Sequence, residues 1–127
     1  MISFEGFSTE DGTPIYTQII RHIKRGAAAG TVLDGDELPS RRVLSALLGV
    51  NPNTVQKAYR LLEEEGLITS RSGAKSYMVL DAGAVERIRG ELTQREIRSL
   101  AAALKRAGLS LDRAVELLRE IWEEESE

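Results

Sequence analysis

Three residues, Gly49, Val50 and Asn51, constrain this chain more than any others. They separate two amphipathic helical patterns within Leu38–Ile68, LPSRRVLSALLGVNPNTVQKAYRLLEEEGLI. Before the gap, Ser40 is a good N-cap, and Val43, Leu44, Leu47 and Leu48 supply an apolar face. Gly49 ends that helix because glycine accepts the left-handed conformation common just past a helix end. Asn51 then caps a new helix with Pro52 in its first position, a strong start signal. Two helices joined by a turn of about three residues make a helix-turn-helix.

The second helix separates its residues by face. At about 100° per residue, with Val55 at zero, Ala58, Tyr59 and Leu62 fall within roughly 60° and form the inward stripe. Asn53, Lys57 and Arg60 fall at roughly 160°, 200° and 140°, with Gln56 at about 100°, so the polar set is one contiguous face. Amide, hydroxyl and cationic side chains on a helix of this kind are the set that reads base edges in a DNA major groove. Gly66 closes the helix. Leu67–Thr69 and Ser76–Leu80 read as two strands, with Arg71, Ser72, Gly73, Ala74 and Lys75 as the tip between them. A basic hairpin after such a helix is a wing.

Upstream, Pro14 suits a first helical turn, and Ile15, Ile19, Ile20 and Ile23 recur at helical spacing up to a stop at Gly30. Residues 1–13 are polar and contain Gly around Phe4 and Phe7, either a loose arm or a short strand packing those two rings. Thr31–Leu38 reads as a loop. Downstream, Val85, Ile88 and Leu92 suggest a helix interrupted near Gly90, and Thr93 with Glu96 forms a capping box for the next one. Ile97, Leu100, Ala101 and Leu104 make an apolar stripe that ends at Gly108. Ser110 starts a last helix with Val115, Leu118, Ile121 and Trp122 inward. Two short helices cannot bury such stripes completely on each other, so a partner subunit is the natural cover. The expected fold is mainly α with a small β-hairpin wing: a winged helix-turn-helix over residues 1–80, then a short antiparallel helical dimerisation tail over 81–127.

Composition bears on the partner. Net charge is -3, an unpromising sum for a nucleic-acid binder, but the distribution is uneven. Pro14–Leu80 holds nine Lys/Arg against six Asp/Glu, and Asp81–Glu127 holds eight against eleven. The absence of cysteine excludes disulfides and thiolate metal sites. With one histidine, His22, no metal site is expected, and nothing suggests a cofactor. No run approaches the roughly 18 apolar residues of a membrane span, and no basic-then-apolar leader opens the chain, so a cytoplasmic protein is expected. No nucleophile–base pair or phosphate-cradling glycine loop stands out, so enzymatic activity has no support.

The Leu38–Ile68 segment resembles the winged helix-turn-helix of the gluconate-repressor (GntR) family of bacterial transcription regulators. The PIYTQI opening, the VNPNTVQKAY segment and the AGLSLDRAVELLREIW tail are similar to its YtrA subgroup. The resemblance runs from Pro14 to Trp122. It implies a homodimeric repressor of a two-fold DNA operator, with a short dimerising tail in place of a metabolite-binding domain. Many members of the subgroup control transporter operons. Matched position by position, the family's start-of-helix arginine is Arg42. The recognition-helix start is Asn51, Asn53 and Thr54, and the exposed polar position one turn on is Gln56, followed by Lys57. The wing-tip glycine is Gly73. The chain departs from the pattern twice. Val43 replaces an acidic residue after the arginine, and Lys75 stands where a second wing glycine is usual.

The expected DNA-facing set is therefore Ser40, Arg41, Arg42, Asn51, Asn53, Thr54, Gln56, Lys57, Arg60, Arg71, Gly73 and Lys75. The expected dimerisation set is Ile97, Leu100, Leu104, Val115, Leu118, Ile121 and Trp122. Alternatives stand beside these assignments. Asn51 is a cap as well as a candidate contact, and Arg60 can pair with Glu63 or Glu64 across one turn. Arg41 and Arg42 can pair with Asp36 or Glu37. Winged helices also serve as protein-docking adaptors, and the negative net charge favours that alternative. Whether a small-molecule effector binds at the dimer seam is left open.

Overall fold

The computed structural model describes residues 1–9, 12–71, 73 and 75–125. Glu10 and Asp11, Ser72 and Ala74 of the wing tip, and Ser126 and Glu127 at the end of the tail lie outside the described residues. The chain divides into two compact units, Met1–Arg89 and Gly90–Glu127.

In the first unit, helix α1 (Ile15–Ala29) starts after Pro14 and stops at Gly30, which is left-handed with φ 83°. Strand β1 (Glu37–Leu38) precedes helix α2 (Arg41–Leu48) and helix α3 (Pro52–Glu64), and strands β2 (Ile68–Arg71) and β3 (Lys75–Met78) form the wing. The sheet order is β1-β3-β2, antiparallel throughout. The core is aliphatic: Ile19 and Ile23 of α1, Leu44 of α2, Val55 and Leu62 of α3, and Leu38, Leu67 and Met78 around the sheet are all buried. Tyr59 of α3 joins them in the core, and its hydroxyl donates to the Pro39 carbonyl at 2.7 Å. That bond ties α3 to the residue just before the α2 cap, which fixes the start of one helix against the middle of the other.

Several local expectations change. Thr31–Leu38 is not all loop, because Glu37 and Leu38 pair with Tyr77 and Ser76 of β3. The wing strands begin one residue and end two residues away from their expected limits. On α2 the inward stripe is Arg41, Leu44, Ser45 and Leu48, at helical i, i+3, i+4, i+7 spacing. Val43 and Leu47, expected in the apolar face, are 57% and 65% exposed. The core accepts Ser45 because its hydroxyl donates to the Arg42 carbonyl at 3.0 Å, so the polar group is satisfied where it is buried.

Residues 1–7 are packed rather than loose, although no strand forms there. The Ile2 amide donates to the Glu37 carbonyl, Phe4 stacks on His22 at 4.5 Å between ring centroids, and Phe7 meets the same imidazole edge-on at 5.5 Å. His22 Nε2 lies 2.9 Å from the Ser3 carbonyl. Helix α4 (Ala82–Arg106) then begins in this unit. Ala84 and Ile88 are buried, and Arg89 Nε donates to the Ala28 carbonyl at the end of α1.

Gly90 does not interrupt α4, and Thr93 caps nothing: the helix is continuous for 25 residues. A glycine inside a helix costs only about 1 kcal/mol relative to alanine, too little to break a helix flanked by Arg, Glu and Leu. The second unit consists of the remainder of α4 and helix α5 (Leu111–Glu125), joined by a short turn in which Gly108 has φ 80°. Ile97, Leu100, Leu104, Ala114, Val115 and Leu118 line an apolar cleft of about 280 Å³. Ala114 is the only apolar residue of α5 buried within the single chain among the described residues, and Val115, Leu118, Ile121 and Trp122, expected inward, are exposed there.

Candidate nucleic-acid interface

Each element of the interface is set by local chemistry. The Ser40 hydroxyl accepts from the Val43 amide at 3.1 Å and starts α2. This leaves Arg42 exposed and Arg41 half-buried. The Arg41 guanidinium sits over the Tyr59 ring, 5.9 Å from its centroid, and its Nε has no hydrogen-bond partner among the described residues. Burial pushes the Tyr59 phenol well above its ordinary range, with Arg41 acting weakly in the opposite sense. Tyr59 therefore stays a neutral donor to Pro39 at any physiological pH.

On α3 the Asn51 side chain accepts from the Asn53 amide at 2.8 Å, so its carbonyl oxygen is occupied as the helix cap. Asn53, Gln56, Lys57 and Arg60 are exposed, Thr54 is half-buried, and Val55, Ala58, Tyr59 and Leu62 are buried beneath them. Among the described residues no ion pair links Arg60 to Glu63 or Glu64, or Arg42 to Asp36 or Glu37. Several nearby carboxylates are used elsewhere. Glu65 pairs with Lys24 of α1 at 3.0 Å, and Glu63 accepts weakly from Ser70 Oγ at 3.5 Å. The Asp34 and Asp36 carboxylates accept from the Leu80 and Leu33 amides, at 2.7 and 2.8 Å. Lys57 is not a free cation, since its ammonium rests 4.2 Å above the Tyr16 ring of α1.

The wing register places Thr69, Arg71, Lys75 and Tyr77 on one face of the hairpin and Ile68, Ser70, Ser76 and Met78 on the other. The second face turns to the core: Ile68, Ser76 and Met78 are buried. On the first face Arg71 and Lys75 are direct cross-strand partners, and Arg71 lies over the Tyr77 ring at 5.2 Å. Gly73 at the tip has φ 80°, which a side chain would make strained. Two like charges opposite each other on a strand pair are unfavourable unless an anion comes between them. No carboxylate among the described residues does so.

Helix α3, with its exposed amide and cationic side chains, packs against both α2 and strand β2 of the wing, and these neighbours bring the exposed Arg42 and the Arg71–Lys75 pair to the candidate interface. Sequence reasoning assigns Tyr16 no part in it, because the cation that rests on its ring lies 41 residues along the chain. Among the described residues no group of three or more His, Cys, Asp or Glu could hold a metal ion, and no helix is long and apolar enough to cross a membrane.

Comparison with known proteins gives the face its context. Residues 15–77 match the family model described as bacterial regulatory proteins, gntR family. The chain is 37% identical over 111 residues to the HTH-type transcriptional repressor YtrA of Bacillus subtilis, covering 86% of this chain and 85% of that one. A GntR family transcriptional regulator from Listeria monocytogenes superimposes with a TM-score of 0.76 at 28% identity, covering 88% of this chain and 98% of that one. The DNA-binding domain of AraR, solved in complex with operator ORX1, superimposes with a TM-score of 0.50 at 27% identity, covering 61% of this chain and 93% of that one. These relatives are transcription regulators and not enzymes. The chain belongs to the GntR family of DNA-binding transcription regulators and is close to its YtrA type.

Proposed function

We propose that the chain is a repressor that binds a two-fold operator as a homodimer, each subunit laying α3 in a major groove. Gln56, Asn53 and Lys57 supply base-edge contacts, with Thr54, Asn51 and Arg60 at the margins. Ser40, Arg41 and Arg42 approach the backbone at the start of α2, where exposed helix amides also attract phosphate. Arg71, Gly73 and Lys75 of the wing reach the adjoining backbone or minor groove. The observation that carries this reading is the exposure of Asn53, Gln56, Lys57 and Arg60 on one helix, with no carboxylate paired to them among the described residues.

Residues 1–80 serve as the DNA-binding domain and 81–127 as the dimerising tail. Ile97, Leu100, Leu104, Val115, Leu118, Ile121 and Trp122 form the surface that a second copy covers. Exposed apolar side chains gathered around one cleft in this way are the mark of an interface. Repression follows the name of the B. subtilis relative, and control of a transporter operon follows the subgroup resemblance. The alternative of a protein-docking adaptor draws its support from the negative net charge. That support weakens because the acidic excess lies outside Pro14–Leu80, which holds nine Lys/Arg against six Asp/Glu.

Selection of duplexes from a randomised pool by the full chain tests the proposal. Enrichment of an inverted repeat, with half-site centres about 10 base pairs or a small multiple apart, is the expected result. Enrichment of single, unrepeated sites overturns the two-fold part, and no enrichment at low salt overturns operator binding.

A further inference from the structure

Each of the chain's three tyrosines carries a cation on its ring, and each cation is a candidate DNA contact: Lys57 over Tyr16 at 4.2 Å, Arg71 over Tyr77 at 5.2 Å and Arg41 over Tyr59 at 5.9 Å. We propose that Tyr16 is a positioning residue for DNA binding, its ring face holding the Lys57 ammonium where α3 offers it to a phosphate or base edge, and that Tyr77 does the same for Arg71 on the wing. This rests on the DNA-facing role proposed above for α3 and the wing.

Nothing on α3 itself fixes Lys57. Its neighbours one turn away are Asn53, Thr54, Arg60 and Leu61, none of them acidic, and Arg60 repels it. The ring of α1 is what holds it. Arg71 is in the same position on the wing: its direct cross-strand partner is the cation Lys75, and its diagonal neighbour is Tyr77. The choice of an aromatic support matters. A carboxylate would hold a lysine equally well, but it would cancel the charge and compete with phosphate for the same donors. A ring quadrupole attracts the cation without neutralising it. The ammonium has three donors, so a ring on one side leaves capacity for an anion on another. A long side chain ordered in the free protein also loses less freedom when DNA arrives. Tyr59 follows the same pattern, but it is buried and bonded to Pro39, so its substitution would disturb the core first.

The test measures affinity for the duplex that the wild-type chain enriches from a randomised pool, as a function of salt. Tyr16→Leu is expected to weaken binding about 2–5-fold, and Tyr16→Phe, which keeps the ring face, to bind like wild type. In a Lys57→Met background Tyr16→Leu is expected to have no further effect. Lys57→Met lowers the slope of log K against log salt, by about 0.9 for each phosphate it leaves without a cation. Tyr16→Leu leaves the slope unchanged because the charge is still present. An equal loss from Tyr16→Leu with and without Lys57 overturns the proposal, since a purely structural tyrosine behaves that way. So does no loss at all, or a loss from Tyr16→Phe equal to that from Tyr16→Leu. Wild-type chain that binds no duplex removes the DNA-binding face itself and the proposal with it, whereas wild-type binding with uncoupled Tyr16 removes only the proposal. Should Tyr16→Leu not fold, the Lys57 ε-methylene proton shifts of the wild-type chain decide: ring-current displacement upfield supports the contact, and random-coil positions overturn it.

Discussion

Replacing Lys75 with glutamine should make the folded chain more stable and its hold on DNA weaker. Lys75 and Arg71 are direct cross-strand partners. Two unit charges about 6 Å apart in a water-like dielectric repel by about 0.7 kcal/mol, and screening at physiological salt brings this to about 0.3 kcal/mol. Relief of that repulsion should raise the melting temperature by about 1–3 °C. On DNA the same substitution leaves one phosphate per subunit without its cation. For a dimer the slope of log K against log salt should then fall in magnitude by about 1.8, so a fourfold rise in salt weakens the wild type about 12-fold more than the variant. Thermal melting by circular dichroism at fixed protein concentration, paired with a salt titration of operator binding, reads both quantities. A variant that melts lower would mean that Lys75 has a stabilising partner within the protein. An unchanged salt slope would mean that the wing does not touch the backbone.

Three further outcomes are expected. Gln56→Ala should relax preference at one base pair by about 1–3 kcal/mol, whereas Arg42→Ala weakens matched and mismatched duplexes alike; equal losses in both variants would remove the division between reading and holding. Tyr59→Phe should cost about 1–2 kcal/mol by leaving the Pro39 carbonyl without its donor. Because the folded chain keeps the Tyr59 proton more tightly than the unfolded chain, wild-type stability should be intact below about pH 10 and fall as pH rises past it. The Phe variant should show a shallower alkaline fall in urea melts. Leu118→Glu, on the cleft of the second unit, should give a monomer by sedimentation velocity with unchanged helix content, and lose about 100-fold or more in operator affinity as the two half-sites uncouple.

The helix-turn-helix is legible in the sequence because its signals are local. Ser40, Gly49, Asn51 and Pro52 act on backbone groups within a few residues of themselves, and the bonds from the Val43 and Asn53 amides to the caps are short-range facts. What escapes depends on distant partners. Strand β1 is two residues long and exists only because Tyr77 and Ser76 lie beside it. Asp34 looks like loop charge, yet its carboxylate holds the Leu80 amide, 46 residues away. The inward face of α2 is misjudged from periodicity because an eight-residue helix offers too few turns to fix its rotation, and Leu44 is the one apolar side chain of it that is fully buried, beside the polar Ser45. Gly90 reads as a stop, but propensity is a weak prior, and the residues around it outweigh one glycine. In the interface, helical periodicity separates exposed from buried positions on α3. It cannot show that Lys57 rests on a ring from α1.

The most direct measurement follows the backbone amide signals of the ¹⁵N-labelled chain as the selected operator is added. With α3 seated in the groove, the largest shifts should fall on 51–60, with smaller ones at 40–42 and 71–75 and little change along α5. Shifts confined to the tail, or a spectrum indifferent to the duplex, would contradict recognition through this helix.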